Sequence, residues 1–251
     1  LESFKVPFES NIFKDSNQEI ATSTGISLNN SWVSTKPLSE AYISENMTVE
    51  MTMKIHELDE NGNGGTVMSF SKDQTIGVTI SDDQFNIRVD DVSYPTGINV
   101  QTGEWTTIAM DYNNVTGNVR LSYVNADGSL DSSVVNVGIG QDLIPARGNL
   151  VAGAWQTPPD QVSPSPPGSF IGDIDRMLVF DKPLSPAEIM LHSQTPVNGL
   201  IDGLTMGFNF GAAEGSIVPD FITGHEMSVS PEGASWVSTS PPYTQMKEPS
   251  I

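Results

Sequence analysis

Residues 47–55, MTVEMTMKI, alternate without a break. Met47, Val49, Met51, Met53 and Ile55 fall on one side, and Thr48, Glu50, Thr52 and Lys54 on the other. A period of two belongs to a strand and not to a helix. The pattern predicts a strand with its apolar side in a core and its polar side in water. The same alternation returns at 66–70, 75–80, 85–89, 105–112, 118–124, 133–138 and 174–180. Turn formers stand between these runs: Asp59–Gly65, Ser81–Asp83, Tyr94–Gly97, Asn113–Gly117 and Asn125–Gly128. Many short strands at this spacing predict an all-β fold, an antiparallel sandwich or barrel.

One helix is predicted. Ser185-Pro186-Ala187-Glu188 reads as a capping box with Pro at the first helical position, and Pro196 stops the helix after about two turns. Residues 156–169, QTPPDQVSPSPPGS, resist both helix and ladder. Such a stretch is either a functional loop or an unstructured insertion. There is also an internal repeat: ISLNNSWVST at 26–35 and MSVSPEGASWVST at 227–239 both end in WVST and share an alternating approach.

Charge narrows the partners. Asp and Glu number 31 against 11 Lys and Arg, a net charge of −20. No cationic excess exists to displace counterions from nucleic acid or to dock on an anionic membrane. The acidity favours divalent cations and neutral ligands. No Cys is present, which removes disulfides, thiolate zinc sites and cysteine nucleophiles. No run of 18 apolar residues occurs, so no membrane insertion is expected. The chain opens at Leu1 without a signal-peptide pattern and reads as a processed product. Sequons at Asn29, Asn46 and Asn114 are near chance frequency and are read as neutral.

Four motifs in order point to a family. Gly103–Tyr112 followed by Val119–Gly128 resembles the "G-x-W-x-x-V-A-x-x-Y … L-Y-v-N-G" hairpin of laminin-G-like domains in the concanavalin A-like lectin/glucanase superfamily. Phe170–Phe180 with Pro183–Ile189 resembles its closing "G-x-I-D … L-S-x-x-E-I" motif, Met47–Met53 its "m-T-v-e" strand, and Phe8–Trp32 its opening segment. The resemblance covers about 1–195. It lacks the family's Gly after Asp15-Ser16, and the Pro-rich stretch is extra. It implies a jelly roll of two antiparallel sheets with one short helix near the end of the domain. Residues 196–251 then resemble the opening strands of a second copy. They can add edge strands to their own sandwich, complete a neighbouring copy, or mark where the chain is cut.

The resemblance also implies a structural calcium, which on this chain means Asp15 and Asn17 with Asp173 or Asp175. Oxygen-only ligands on an acidic protein suit a hard cation. The plain alternative has Asp175 capping a turn and Asp15 in solvent. Asp59-x-Asn61-x-Asn63-Gly64 has half of a calcium-loop spacing, but its twelfth position is Phe70, which excludes an EF-hand. For a glycan, an aromatic platform with polar neighbours is needed. Trp155 is the aromatic chosen, with Gln156, Asp160 and Tyr94 beside it, against the alternative that Trp155 packs beneath its own prolines. Trp105 is expected in the core by its strand position. His192 is expected as a surface or packing residue.

Catalysis has little support. No strand carries Glu-x-Asp-x-Glu, and His56, His192 and His225 are isolated, without HExxH or G-x-S-x-G. No catalytic residue is assigned. The expected function is a non-catalytic extracellular or surface-exposed module binding a glycan or cell-surface polysaccharide with a structural calcium. The alternative is a structural or adhesive subunit of a filament, surface layer or virion, self-assembling through the C-terminal repeat. A cryptic lyase or hydrolase is the remote third reading.

Overall fold

The computed structural model describes residues 23–36, 46–71, 74–138, 148–157, 161–163, 170–197, 199–213, 215–230 and 232–239. Its strands are β1 (Ser23–Asn29), β2 (Val33–Thr35), β3 (Asn46–Ile55), β4 (Gly65–Ser71), β5 (Thr75–Ser81), β6 (Gln84–Val89), β7 (Val92–Asn99), β8 (Trp105–Asn113) and β9 (Asn118–Val124). They continue as β10 (Leu130–Asn136), β11 (Asn149–Ala152), β12 (Trp155–Thr157), β13 (Gln161–Ser163), β14 (Ile171–Phe180), β15 (Leu204–Asn209), β16 (Ile217–Pro219), β17 (Glu226–Val229) and β18 (Ala234–Thr239). The helix α1 spans Pro186–Gln194, with Ser185 as its cap and the expected capping box in place. Tyr94–Gly97, expected as a turn, lies inside β7. Its Pro95 is tolerated because β7 is an edge strand.

Two antiparallel sheets form the sandwich. The first runs β10-β9-β8-β3-β14-β1-β18, and β15 also pairs with β14. The second runs β16-β17-β2-β11-β4-β5-β6-β7. Met47, Val49, Met51, Met53, Ile108, Leu121, Met177 and Val179 from the first sheet meet Met68, Phe70, Val78, Phe85 and Ile87 from the second in one buried core. This is the two-sheet antiparallel jelly-roll architecture that the resemblance implied.

The outer side of the first sheet departs from expectation. Thr48, Glu50 and Thr52 are fully buried, not solvated. Residues 181–197 and 199–204, including α1, lie over them, and Leu178, Phe180, Leu184, Ile189, Val197 and Leu204 form a second apolar cluster there. The polar alternation on β3 marks an internal polar layer under a helix.

Strands from the C-terminal part occupy both sheets. β14 is bordered on one side by β1 over Ile171–Ile174 and by β15 over Arg176–Phe180, so one long strand serves two short ones end to end. The two copies of the internal repeat pair with each other. Ile26 lies opposite Trp236 in the first sheet, and Val33 lies opposite Val229 in the second, so the same register holds on both sides of the corner. At the corner Asn29 N donates to Gly233 O, and Ser230 N donates to Trp32 O. Gly233 has φ +76°, and a Cβ there would lie 2.1 Å from Asn29 O, so the crossing requires glycine.

Candidate functional site

The expected ligand residues do not gather at an open rim. Trp155 and Gln156 start β12, which pairs with β13 as a small ribbon packed against β4 and β5. Trp155 is only 5% exposed, and the Arg88 guanidinium lies 4.4 Å from its ring centroid. Its indole is a buried cation–π partner and not an open platform. Gln156 is buried as well: its Nε2 donates to Ser69 O at 3.0 Å and to Asn149 O at 3.0 Å. Its amide anchors the ribbon and has no surface to offer. Tyr94 lies opposite Ile87 and packs on the core, whereas its neighbours Ser93 and Arg88 face the other way, toward Trp155. The structure therefore separates Tyr94 from Trp155. Asp160 lies outside the described residues.

Of the four expected calcium residues, Asp173 and Asp175 fall among the described residues. Asp15 and Asn17 lie outside the described residues. Asp173 Oδ2 is 2.9 Å from His56 Nε2, and its Oδ1 is buried without a hydrogen-bond partner. Asp175 sits where the β14–β3 register shifts, is 1% exposed, and acts on the neighbouring Arg176 guanidinium. Among the described residues no group of three His, Asp or Glu side chains is placed to hold a metal ion. The described half of the ligand set does not by itself make a calcium site. The Asp59 turn is closed on itself too: Asp59 Oδ1 accepts from Asn61 N at 2.9 Å and Asn63 N at 2.8 Å.

A different place is built for contact. At one side of the sandwich the edge strands β7 and β10 face each other. A groove of about 470 Å³ lies between them, lined by Thr96, Asn99, Gln101, Asn125, Asp127 and Asp131 with the serines of β10. The turn Asn125–Gly128 forms one wall, and Gly128 takes φ +82° to close it. Within this wall Asp127 Oδ1 accepts from Ser129 N at 2.9 Å and Oγ at 2.6 Å, and these bonds hold its carboxyl below the usual carboxylate range. Asn125 Nδ2 donates to Asp131 Oδ2 at 3.0 Å. Gln101 Oε1 accepts from Ala126 N, which ties the loop before β8 to the turn.

On the far side of the same turn lies a smaller cleft of about 230 Å³. Its floor is Trp105, with Thr107, Val124, Ser193 and Gln194 around it. Trp105 pairs with Lys54 on the outer side of the first sheet and is half-buried, which corrects its expected place in the core. Its strand position was legible, but the alternation puts Thr106, opposite Met53, on the core side. Signals for this site existed in the sequence: a Trp at a strand start and an Asn-Ala-Asp-Gly turn. What was missing was their adjacency, which only the β8–β9–β10 register supplies.

The Ser193–Gln194 wall is held by buried charge. Arg176, 2% exposed, donates through Nη2 to His192 O at 2.7 Å and through Nη1 to Thr195 O at 3.1 Å, closing the C-terminal end of α1. Glu50 lies 3.5 Å from that guanidinium and 2.9 Å from His192 Nδ1. His192, expected as a surface or packing residue, is buried in this network and stacked on Phe180 at 5.3 Å. Burial pushes the Arg176 pKa down, while Glu50 and Asp175 oppose that shift.

The fold is similar to solved structures at low identity. A Bacteroides ovatus protein provisionally called carbohydrate-binding superposes with a TM-score of 0.62 at 14% identity, over 88% of this chain. This chain spans 61% of that protein's length. A heptameric SAP-like pentraxin of Limulus polyphemus gives a TM-score of 0.58 at 13% identity, over 90% of this chain and 99% of the pentraxin. At such identities the likeness shows the fold alone. No curated protein matches the chain. The family model Laminin_G_3, described as the concanavalin A-like lectin/glucanases superfamily, matches residues 27–190, and the chain belongs to that family.

Proposed function

We propose that the chain is a non-catalytic glycan-binding module that works outside the cell or on a surface. The observation that carries this reading is the pair of clefts on either side of the Asn125–Gly128 turn. One offers amides, hydroxyls and carboxylates in a groove, and the other a half-buried indole. Sugars need both: polar partners for their hydroxyls and an aromatic surface for their apolar C–H faces. The provisional carbohydrate-binding label of the Bacteroides ovatus protein agrees with it. No helix among the described residues is long and apolar enough to cross a membrane.

Binding without turnover is favoured by the state of the groove's acids. A glycosidase needs one carboxyl kept protonated by a raised pKa. Asp127 is shifted the other way by Ser129. Asp111 is raised by burial, but it sits beneath Arg120 and outside both clefts. The assembly alternative draws less support, because β15, β16, β17 and β18 already pair within this chain, with β16 and β18 as edge strands of their sheets.

Calorimetry of the full chain against uncharged polysaccharides tests the proposal. Trp105→Ala should weaken binding by about 1–2 kcal/mol, roughly tenfold. Asn99→Ala, at an exposed groove position, should weaken it with no change in melting temperature. Unchanged affinity in both variants, or release of reducing sugar by the full chain, would sink the reading. Running the same titrations with calcium and with chelator carries the calcium expectation: equal Kd in both removes it from binding.

A further inference from the structure

The charge of the binding side narrows what it takes. Neither the groove nor the Trp105 cleft has a Lys, Arg or His among its described lining residues. The groove instead holds two carboxylates in fixed positions. Ser129 orients Asp127, and Asn125 orients Asp131, and each bond uses only part of a carboxylate's acceptor capacity. The same bonds hold the Asp127 carboxyl below the usual carboxylate range, so its charge persists further into acid than that of a free aspartate. The molecule behind them carries a net charge of −20, so no distant cationic field offsets the pair.

From this we infer that the site takes uncharged polyhydroxylated glycans and rejects sulfated or carboxylated ones, a deepening of the glycan reading that rests on it. A sugar hydroxyl donates to a carboxylate, and adjacent hydroxyls can donate to both its oxygens. A sulfate or carboxylate group in place of a hydroxyl has only acceptors to present there. It meets like charge, and each pair in contact weakens binding about fivefold even at the dielectric of water. The amides of Asn99, Gln101 and Asn125 supply the complementary donors and acceptors that an uncharged chain can use on every residue.

The test compares each polysaccharide with itself. The full chain is titrated with an uncharged glucan, mannan and galactan, and then with the sulfated derivative of each, at low and high salt. The expected result is that an uncharged chain binds with a Kd indifferent to salt. Its sulfated form should bind at least about twentyfold more weakly, two contact pairs' worth. Salt should narrow that gap by screening. Asp127→Asn with Asp131→Asn, both at exposed positions and both keeping a side-chain oxygen for their turn bonds, should narrow it at low salt. Equal or tighter binding of the sulfated form, still lost in Trp105→Ala, overturns the charge selection and leaves the glycan reading standing. A gap untouched by the Asn pair also overturns it, because the repulsion then arises elsewhere. Silence across the whole panel overturns both.

Discussion

Glu50 shows how a polar residue on an alternating strand can be read correctly for conformation and wrongly for environment. Its place opposite the Met side of β3 was legible, and so was the strand. Its burial was not, because water and an internal polar layer leave the same alternation in a sequence. Thr48 joins Asp111 and the Lys182 carbonyl, Thr52 joins Thr107, and Glu50 joins Arg176 and His192. Those partners come from β8, β14 and the chain around α1, up to 142 residues away. The energetic consequence is large. Glu50→Ala removes the carboxylate paired with the buried Arg176 guanidinium and leaves Asp175 as its remaining negative neighbour, and removing one member of such a buried pair costs about 3–5 kcal/mol. Urea unfolding of the variant should show that loss as a lower midpoint with an unchanged slope. A cost under about 1 kcal/mol would mean that Asp175 and the His192 and Thr195 carbonyls sustain Arg176 without Glu50. Trp155 and Gln156 teach the same lesson from a loop: a proline-rich neighbourhood looked exposed, yet Arg88, Ser69 and Asn149 cover both side chains.

Elements were most legible where local chemistry is complete within a few residues. α1 is such a case. Ser185 accepts from Glu188 N, and the Glu188 carboxylate accepts from Ser185 N at 2.7 Å. With Lys182 at 3.0 Å, these bonds lower the Glu188 pKa from 4.5 to about 2. A depressed acid contributes stability that is present above its unfolded pKa and lost as pH falls through the folded one. The cap should therefore weaken between about pH 4.5 and 2. Ser185→Ala should cost about 1 kcal/mol at neutral pH, read as a lower melting temperature. The share of that difference owed to the Ser185 Oγ–Glu188 carboxylate bond should fade as pH falls through about 2, while the bond from Glu188 N to Ser185 Oγ persists; a difference constant with pH would mean the carboxylate bond adds nothing to the cap. β7 was illegible for the opposite reason. Tyr-Pro-Thr-Gly is turn chemistry, and only pairing with β6 from Val89 to Gln84 makes it an edge strand. The repeat was legible as letters. That its two copies pair with one another across the corner of the sandwich is a property of register, which no single segment contains.

At the scale of the molecule, the family match ends at residue 190 while the fold does not. Met206, Phe208, Phe210, Val218 and Met227 are all fully buried in the main core. At about 1.5–3 kcal/mol for each such side chain, they contribute roughly 8–15 kcal/mol. That equals the whole stability of an ordinary domain, about 5–15 kcal/mol. Removing residues 200–251 should therefore leave a chain without a cooperative thermal transition, and a truncated form that melts cooperatively would refute this accounting. The two-layer fold followed from the recurrence of period-two runs, but the role of its last strands did not, since repeat similarity alone cannot say which chain they join. The corner ribbon has a further consequence in time. Ile26 and Trp236 are partners 210 residues apart. At a synthesis rate of roughly 5–20 residues per second, the opening strands exist for about 10–40 s before their partners are made. Over that interval β1 and β2 present unpaired edges on the ribosome, so newly made chains pass through a window in which a chaperone, or a neighbouring nascent chain, competes for the seam that the finished molecule closes last.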